Sequence, residues 1–216
     1  MQGRLANRSL WIAIVLIAVL CGASMLSLYI GARYISVDEI IKSFVNYDSN
    51  SIGELLIQTL RWPRLLAAFI VGISFAVSGA LMQGVTNNPM ASPSILGINA
   101  GASFGEEVAI GLGSNLDRVR AFAGVTVLIL SGSAVALAGP IGFVGLITPH
   151  IVRKMVGIDY RRVIPFSALV GTVIVVVADV LTRLVNPPYE TPLGAITAII
   201  GVPFFIYLAN RRGGGR

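Results

Sequence analysis

The sequence predicts an all-α protein that crosses a membrane several times, and three observations carry that prediction. Of its 216 residues 55% are hydrophobic and only 12% are charged, whereas about a quarter of a soluble domain is charged. The apolar residues fall into long runs parted by short cationic clusters, the way membrane topology distributes charge. A twenty-residue stretch also occurs twice without gaps, sixty positions apart. Residues 78–97 read SGALMQGVTNNPMASPSILG and residues 138–157 read AGPIGFVGLITPHIVRKMVG, which sets Gly79 on Gly139, Pro89 on Pro149 and Gly97 on Gly157. Repeats inside apolar segments are the trace of a membrane protein built from two related halves, here placed by inversion on opposite faces.

The first span covers residues 10–30. Arg4 and Arg8 before an apolar run resemble a signal peptide, but the run exceeds twenty residues, enough to cross a bilayer. It reads as an uncleaved first helix. Cys21, the single cysteine, lies inside it and reads as a packing residue, because Leu20 is too large to precede a lipoprotein cleavage site. Residues 33–62 hold four acids and read as a water-exposed amphipathic segment. Pro63 then opens a second span to about Gly84, a placement that suits proline as a first helical residue. After the Asn87-Asn88-Pro89 break, residues 95–105 are too short to cross, and 106–120 are polar and charged. Further spans are expected at 122–139, 141–156, 165–185 and 193–208, six in all.

Charge orients them. With the N-terminus inside and 85–121 wholly cytoplasmic, eleven cations lie inside: Arg4, Arg8, Arg118, Arg120, Arg153, Lys154, Arg161, Arg162, Arg211, Arg212 and Arg216. Five lie outside, namely Arg33, Lys42, Arg61, Arg64 and Arg183. This excess satisfies the positive-inside rule and puts both termini in the cytoplasm.

Several chemistries are excluded. The net charge of +6 sits in clusters between apolar runs rather than on a groove-reading face, so no nucleic acid is expected as a partner. A phosphate-binding loop needs Gly before its Lys, and neither Lys42 nor Lys154 follows glycine. His150 is the only histidine, without a Cys/His/carboxylate cluster around it, so no metal site, cofactor or catalytic residue is expected. A structural role beside Pro149 is favoured. Asp179 is an ionisable group inside a span, a costly placement. Arg183 follows it by one helical turn, so the two read as a structural ion pair near the outer interface. Gly72, Gly79, Gly84, Gly97 and Gly101 thread the second span and its sequel; with the Asn-Asn-Pro break they favour discontinuous helices along a translocation path.

Residues 61–105, RWPRLLAAFIVGISFAVSGALMQGVTNNPMASPSILGINAGASFG, resemble the signature of the FecCD-type permeases, membrane subunits of bacterial ABC importers for ferric siderophores, haem and cobalamin. The resemblance rests on Arg-x-Pro-Arg at 61–64, S-G-A-x-x-Q at 78–83 and Asn88-Pro89-Met90-Ala91, where the family has leucine in place of Met90. The second half agrees through AGPIGFVGLITPHIVR at 138–153, the Gly157, Asp159 and Arg161 element, Ala178-Asp179 with Arg183, the Glu190, Pro192 and Gly194 element, and GVPFF at 201–205. It implies a multi-pass permease of the cytoplasmic (inner) membrane that performs no covalent chemistry. The implied partners are an ABC ATPase, a second permease subunit (homo- or heterodimer), an extracytoplasmic solute-binding protein, membrane lipid and an iron-chelate substrate, with ferric siderophore preferred. GEEVAIGLG at 105–113 resembles the ATPase-coupling segment, which singles out Gly105, Glu106, Glu107, Ala109, Leu112 and Gly113. Gln83, Asn88, Pro89, Gly97, Pro149 and His150 are the candidates for helix breaks along the path.

The resemblance also exposes a departure. Members have about ten spans in an inverted-repeat fold, whereas here GINAGASFG runs straight into the coupling segment. The end of the third family helix and the fourth to sixth are missing, which preserves the polarity of everything downstream. The chain then reads as one transmembrane domain: residues 1–105 a truncated N-terminal half, 106–121 the coupling segment, and 122–216 the C-terminal half. Two alternatives stand beside the ATP-powered permease. One is an ATP-independent secondary transporter using Asp179, and the other a transport-dead product of the internal deletion.

Overall fold

A computed structural model describes residues 2–31, 33–86, 88, 90–93, 115–185, 189 and 191–213. They form helices α1 (Gln2–Tyr29), α2 (Val37–Val45), α3 (Ile52–Leu56), α4 (Trp62–Val85), α5 (Asn115–Ala138), α6 (Val144–Val156), α7 (Tyr160–Val185) and α8 (Leu193–Gly213), with no strand among the described residues. Four stretches are long and apolar enough to cross a membrane: Asn7–Tyr29, Ile52–Val85, Ala121–Ala138 and Tyr160–Val185. The all-α membrane fold expected from the sequence is present, with four such stretches among the described residues where six spans were expected.

α4 is the hub. It packs on α7, α5 and α6, and α1 packs on α7. Backbone meets backbone along α4, because a Cβ on Gly72 would lie 2.5 Å from the Thr172 Cα and one on Gly79 would lie 2.0 Å from the Gly145 carbonyl oxygen. Small residues at such crossings let helices gain dispersion contacts in lipid, where no hydrophobic drive operates between them. The core follows the same line, from Leu65, Val71 and Phe75 on α4 to Val175 and Val176 on α7 and Ala134 on α5.

Pro63 does not open the second span. The helix begins at Ile52 and continues into α4 through a π-helical turn at Ile57–Arg61. Proline lacks an amide hydrogen and collides with the carbonyl four residues earlier. The wider π turn directly before Pro63 relieves that conflict without ending the helix. Part of the segment expected in water is therefore the first three turns of a spanning helix.

The segment expected to span at 141–156 is helical only over α6, 13 residues or about 20 Å at 1.5 Å per residue. Its start is not helical. The Pro140 carbonyl abuts Gly194 in the first turn of α8, the Phe143 ring abuts Gly201 two turns on, and Gly145 abuts Gly79 in the last third of α4. Tyr160, just past α6, abuts Gly84 at the end of α4. Residues 139–143 thus descend beside α8 before α6 completes the passage, entered and left through positive φ at Gly139 (76°) and Phe143 (68°). Non-helical backbone at membrane depth survives where protein covers it or where it lines a cavity.

Two features of the repeat are corrected here. Gly79 lies inside α4, whereas its counterpart Gly139 lies in the break after α5, so the copies are not structurally equivalent. Pro149 lies inside α6 rather than ending a helix. The copies also touch at one end of α4, through Gly79 with Gly145 and Pro93 with Gly145.

α2 is opened by a capping box. The Glu39 amide donates to the Ser36 hydroxyl at 3.2 Å, while the Ser36 amide donates to the Glu39 carboxylate at 3.0 Å. Hydrogen bonds from the Ser36 amide and then its hydroxyl hold the Glu39 carboxyl below its ordinary pKa. A folded value below the unfolded one means the cap stabilises fully above the ordinary carboxylate range and fades as pH falls through the depressed value. Amide-exchange protection in the first turn of α2, corrected for intrinsic rates, should therefore decline on acidification below that range. Glu39→Gln should flatten the decline; an equal decline in the variant would assign it to another group.

The glycine contacts make a second prediction. Gly79→Ala should destabilise the protein by at least about 2 kcal/mol, because the collision is with backbone. Gly132→Ala, where a Cβ meets nothing within 4 Å, should be neutral or slightly stabilising. Thermal unfolding in detergent checks both, and equal melting temperatures for the two variants would contradict the packing.

Candidate functional site

Polar side chains collect at the two ends of α4. At the end where α1 and α7 finish, arginines from three segments converge. Arg61 donates to the Leu28, Tyr29 and Arg33 carbonyls. Arg183 donates to the Ser27 carbonyl at 2.7 Å and the Ile30 carbonyl at 3.0 Å. These acceptors are the last carbonyls of α1 and its exit, which no helix can satisfy internally. Cations there also face the negative end of the helix dipole.

Asp179, 3% exposed, takes the Arg64 Nε at 2.7 Å on one oxygen and the Arg183 guanidinium on the other. Thr182 braces it, donating to the Asp179 carbonyl at 2.7 Å and lying 3.4 Å from Arg64. The carboxylate therefore joins α4 to α7 as well as pairing within its own helix. Around this cluster lies a cavity of about 290 Å³ lined by Gly31, Arg33, Leu56, Leu60, Arg61, Arg64 and Arg183. All four arginines assigned to the outer side by the charge count line it. Among the described residues Asp179 pairs with Arg64 and Arg183, and Glu39 lies 3.8 Å from Arg33, so guanidinium groups dominate the polar lining of the cavity.

At the other end of α4 the organising group is Gln83, 3% exposed. Pro149 cannot donate to the carbonyl four residues earlier, that of Gly145. Gln83 reaches across from α4 with its amide nitrogen 3.2 Å from the Leu146 carbonyl, 3.3 Å from that of Ala91 and 3.5 Å from that of Gly145. Its own oxygen accepts from Arg153. Gly79, one turn earlier on the same face, lets the two backbones approach closely enough for this. Asn88 starts the adjoining turn, its side-chain oxygen accepting from the Met90 amide at 3.0 Å and its carbonyl from the Ala91 amide at 3.1 Å. His150 stands edge-on to Phe204 of α8, ring centres 5.3 Å apart, and Lys154 lies 6.0 Å from the Tyr207 ring.

The structure thus brings Gln83, Asn88, Pro149 and His150 to one end, and Asp179 with Arg183 to the other. Pro89, Gly97, and Gly105, Glu106, Glu107, Ala109, Leu112 and Gly113 of the coupling segment lie outside the described residues. Sequence reasoning missed Arg64 as a partner of Asp179 and Arg153 as a partner of Gln83. A signal existed for the first: Arg61 and Arg64 are one turn apart on a helix, as are Asp179 and Arg183, and both pairs were assigned to the same side.

Comparison with known proteins follows the same two segments. The model of the FecCD transport family matches residues 12–106 and 103–211. The Fe(3+)-citrate import system permease protein YfmD of Bacillus subtilis (strain 168) is 33% identical over 323 aligned positions, covering 96% of each chain. The iron(3+)-hydroxamate import system permease protein FhuB of the same organism is 30% identical over 326 positions, covering 95% of this chain and 85% of its own. A solved structure assigned to the metal-chelate type of ABC transporters, in an inward-facing conformation, superposes with a TM-score of 0.66 at 22% identity, over 93% of this chain and 99% of its own. Since 216 residues are spread over 323 positions, at least 107 positions of the relative have no counterpart here. The two family matches meet at 103–106, which locates the missing block.

The proline compensation can be tested by a double-mutant cycle. Gln83→Leu should cost about 1–3 kcal/mol, the penalty of leaving buried carbonyls unsatisfied. In a Pro149→Ala background the restored amide takes the Gly145 carbonyl, and the same change should cost distinctly less. Additive melting-temperature shifts would refute the coupling.

Proposed function

The chain belongs to the FecCD transport family, and from that membership we propose that it is the membrane-spanning permease subunit of an ABC importer for an iron chelate, with ferric siderophore preferred. The observation that carries the proposal is the match in both halves to a family whose relatives are named as permeases of Fe(3+)-citrate and iron(3+)-hydroxamate import systems. In this reading the permease sits in the cytoplasmic membrane with both termini inside. ATP is hydrolysed by a separate ATPase docked on residues 105–113, and a second permease subunit completes the channel.

The residues take on roles accordingly. The arginine-lined cavity faces outward and receives an acidic group of the extracytoplasmic binding protein or of the anionic chelate. The Gln83–Arg153 junction holds the broken α6 crossing against α4, beside the turn at Asn88. Rocking of one half against the other then moves both sides of that junction, and alternating access needs no covalent step. Asp179 as a proton relay fits poorly, because both of its carboxylate oxygens are engaged by arginines, Arg64 on one and Arg183 on the other.

A second reading rests on the missing block: the helices it would supply form walls of the path, and their loss yields an inserted but inactive protein. Uptake of radiolabelled ferric siderophore in a permease-null strain separates the two. We expect restored uptake that disappears when the partner ATPase carries an inactivated phosphate-binding loop, with Arg33→Glu lowering uptake several-fold at unchanged ATPase co-purification. Normal membrane insertion without uptake would establish the inactive reading. Uptake indifferent to the ATPase would establish secondary transport.

A further inference from the structure

α2 has three faces. At about 100° per residue, Ile40 and Ser43 point to one side and are buried against the bundle, 3% and 1% exposed. Asp38, Glu39 and Lys42 share a second, where Asp38 and Lys42 pair at 2.7 Å with both side chains largely in solvent. Val37, Ile41, Phe44 and Val45 form a third, wholly apolar and 54, 54, 48 and 80% exposed. The three directions lie roughly 120° apart. A helix with protein on one side and water on another needs an apolar medium on the third.

The same helix overhangs α1. Between them lies a groove of about 250 Å³ lined by Gly22, Met25, Leu26 and Tyr29 of α1 and by Val37 and Ile40 of α2. Apart from the Tyr29 hydroxyl its side chains are apolar. It is continuous with the exposed face of α1 below it, where Ile14, Val15, Ile17 and Val19 are about half exposed along a spanning helix. Aromatic rings mark the level: Tyr29 and Tyr34 pair at 5.6 Å, Phe44 and Trp62 at 5.1 Å. Such rings gather at the membrane–water boundary.

We infer that α2 is an interfacial helix and that the groove it forms with α1 seats an acyl chain of a membrane phospholipid. The bilayer is the occupant because the groove opens onto the surface α1 already presents to lipid. The exposed face of α2 also ends where its charged face begins, the arrangement that lays a helix along an interface. Asp38 and Lys42 then stay at headgroup level, and the Arg33–Glu39 pair ties the lipid-facing helix to the rim of the arginine cavity. Lipid would thereby position the α2 side of that cavity.

Gly22 makes the test possible, because it lines the groove and a Cβ added there meets nothing within 4 Å. The full chain is reconstituted in nanodiscs of phosphatidylcholine and phosphatidylglycerol, doped with phosphatidylcholine carrying a photoactivatable diazirine in mid-chain. After irradiation, adducts are mapped by mass spectrometry. Labelling of Met25, Leu26, Val37 and Ile40 should exceed that of Ile14 and Ile17 several-fold. Gly22→Phe should cut the groove signal to the level of Ile14 and Ile17 while leaving theirs unchanged, and Gly22→Ala should have little effect. Leu26→Trp, filling the groove from an exposed position, should repeat the loss if Gly22→Phe folds poorly. Groove labelling no higher than at Ile14 and Ile17, labelling unaffected by both filling variants, or copy-to-copy adducts at Met25 in its place would overturn the inference.

Discussion

The fold turns on one missing hydrogen bond. Pro149 cannot donate to the Gly145 carbonyl, and in lipid no water stands ready to do so. α4 answers with two residues one turn apart: Gly79 removes the side chain that would block approach, and Gln83 supplies the donor. Arg153 then occupies the oxygen of Gln83. A local defect in a short helix thus dictates which face of α4 meets α6 and how closely. The same close approach carries Pro93, which packs on Gly145 from the turn after Asn88.

The opposite end of α4 solves a different problem with the same economy. α1 ends with carbonyls that nothing in the helix can satisfy, and it packs mainly on α7. Arg61 from the π turn and Arg183 from α7 take those carbonyls. A buried guanidinium is costly without an anion beside it. Asp179 supplies one for Arg183 and draws in Arg64 as well, while Arg61 is held by backbone carbonyls. Breaking this cluster would release three helices together, so its first duty is architectural. Arg33, Arg61, Arg64 and Arg183 also line the adjoining cavity.

Much of this was legible in the sequence. Membrane class, helix content, the C-terminal ends of α1 and α7, the Asp179–Arg183 spacing and the missing block all follow from hydropathy, charge and motif, whereas α7 starts at Tyr160 with Pro165 inside it rather than at Pro165. The errors share a cause. Pro63, Gly139 and Pro149 were read through local rules, by which proline starts or stops helices and aligned glycines do the same work. A π turn and a side chain from a distant helix overrode those rules. Neither Gln83 to Gly145 nor Arg64 to Asp179 has a local signature, because the partners are 62 and 115 residues apart. Length misled at 141–156 too, since non-helical backbone rises up to about 3.3 Å per residue against about 1.5 Å in a helix, so a few such residues replace helical turns without changing hydropathy.

The position of the missing block separates folding from transport. Among the described residues, contacts between the segments on either side of the junction at 103–106 join the two parts to each other. Gln83 with Arg153, Arg64 with Asp179, Gly72 with Thr172 and Arg183 with Ser27 all cross the gap. A chain held this way can keep its packing when a block of helices is lost, because these contacts do not pass through that block. Walls of a path are different: they are surfaces facing a cavity, and no contact between the surviving helices replaces them. Stability and insertion of the shortened chain are therefore separate properties from conduction, which needs the surfaces of a path as well as the contacts between helices.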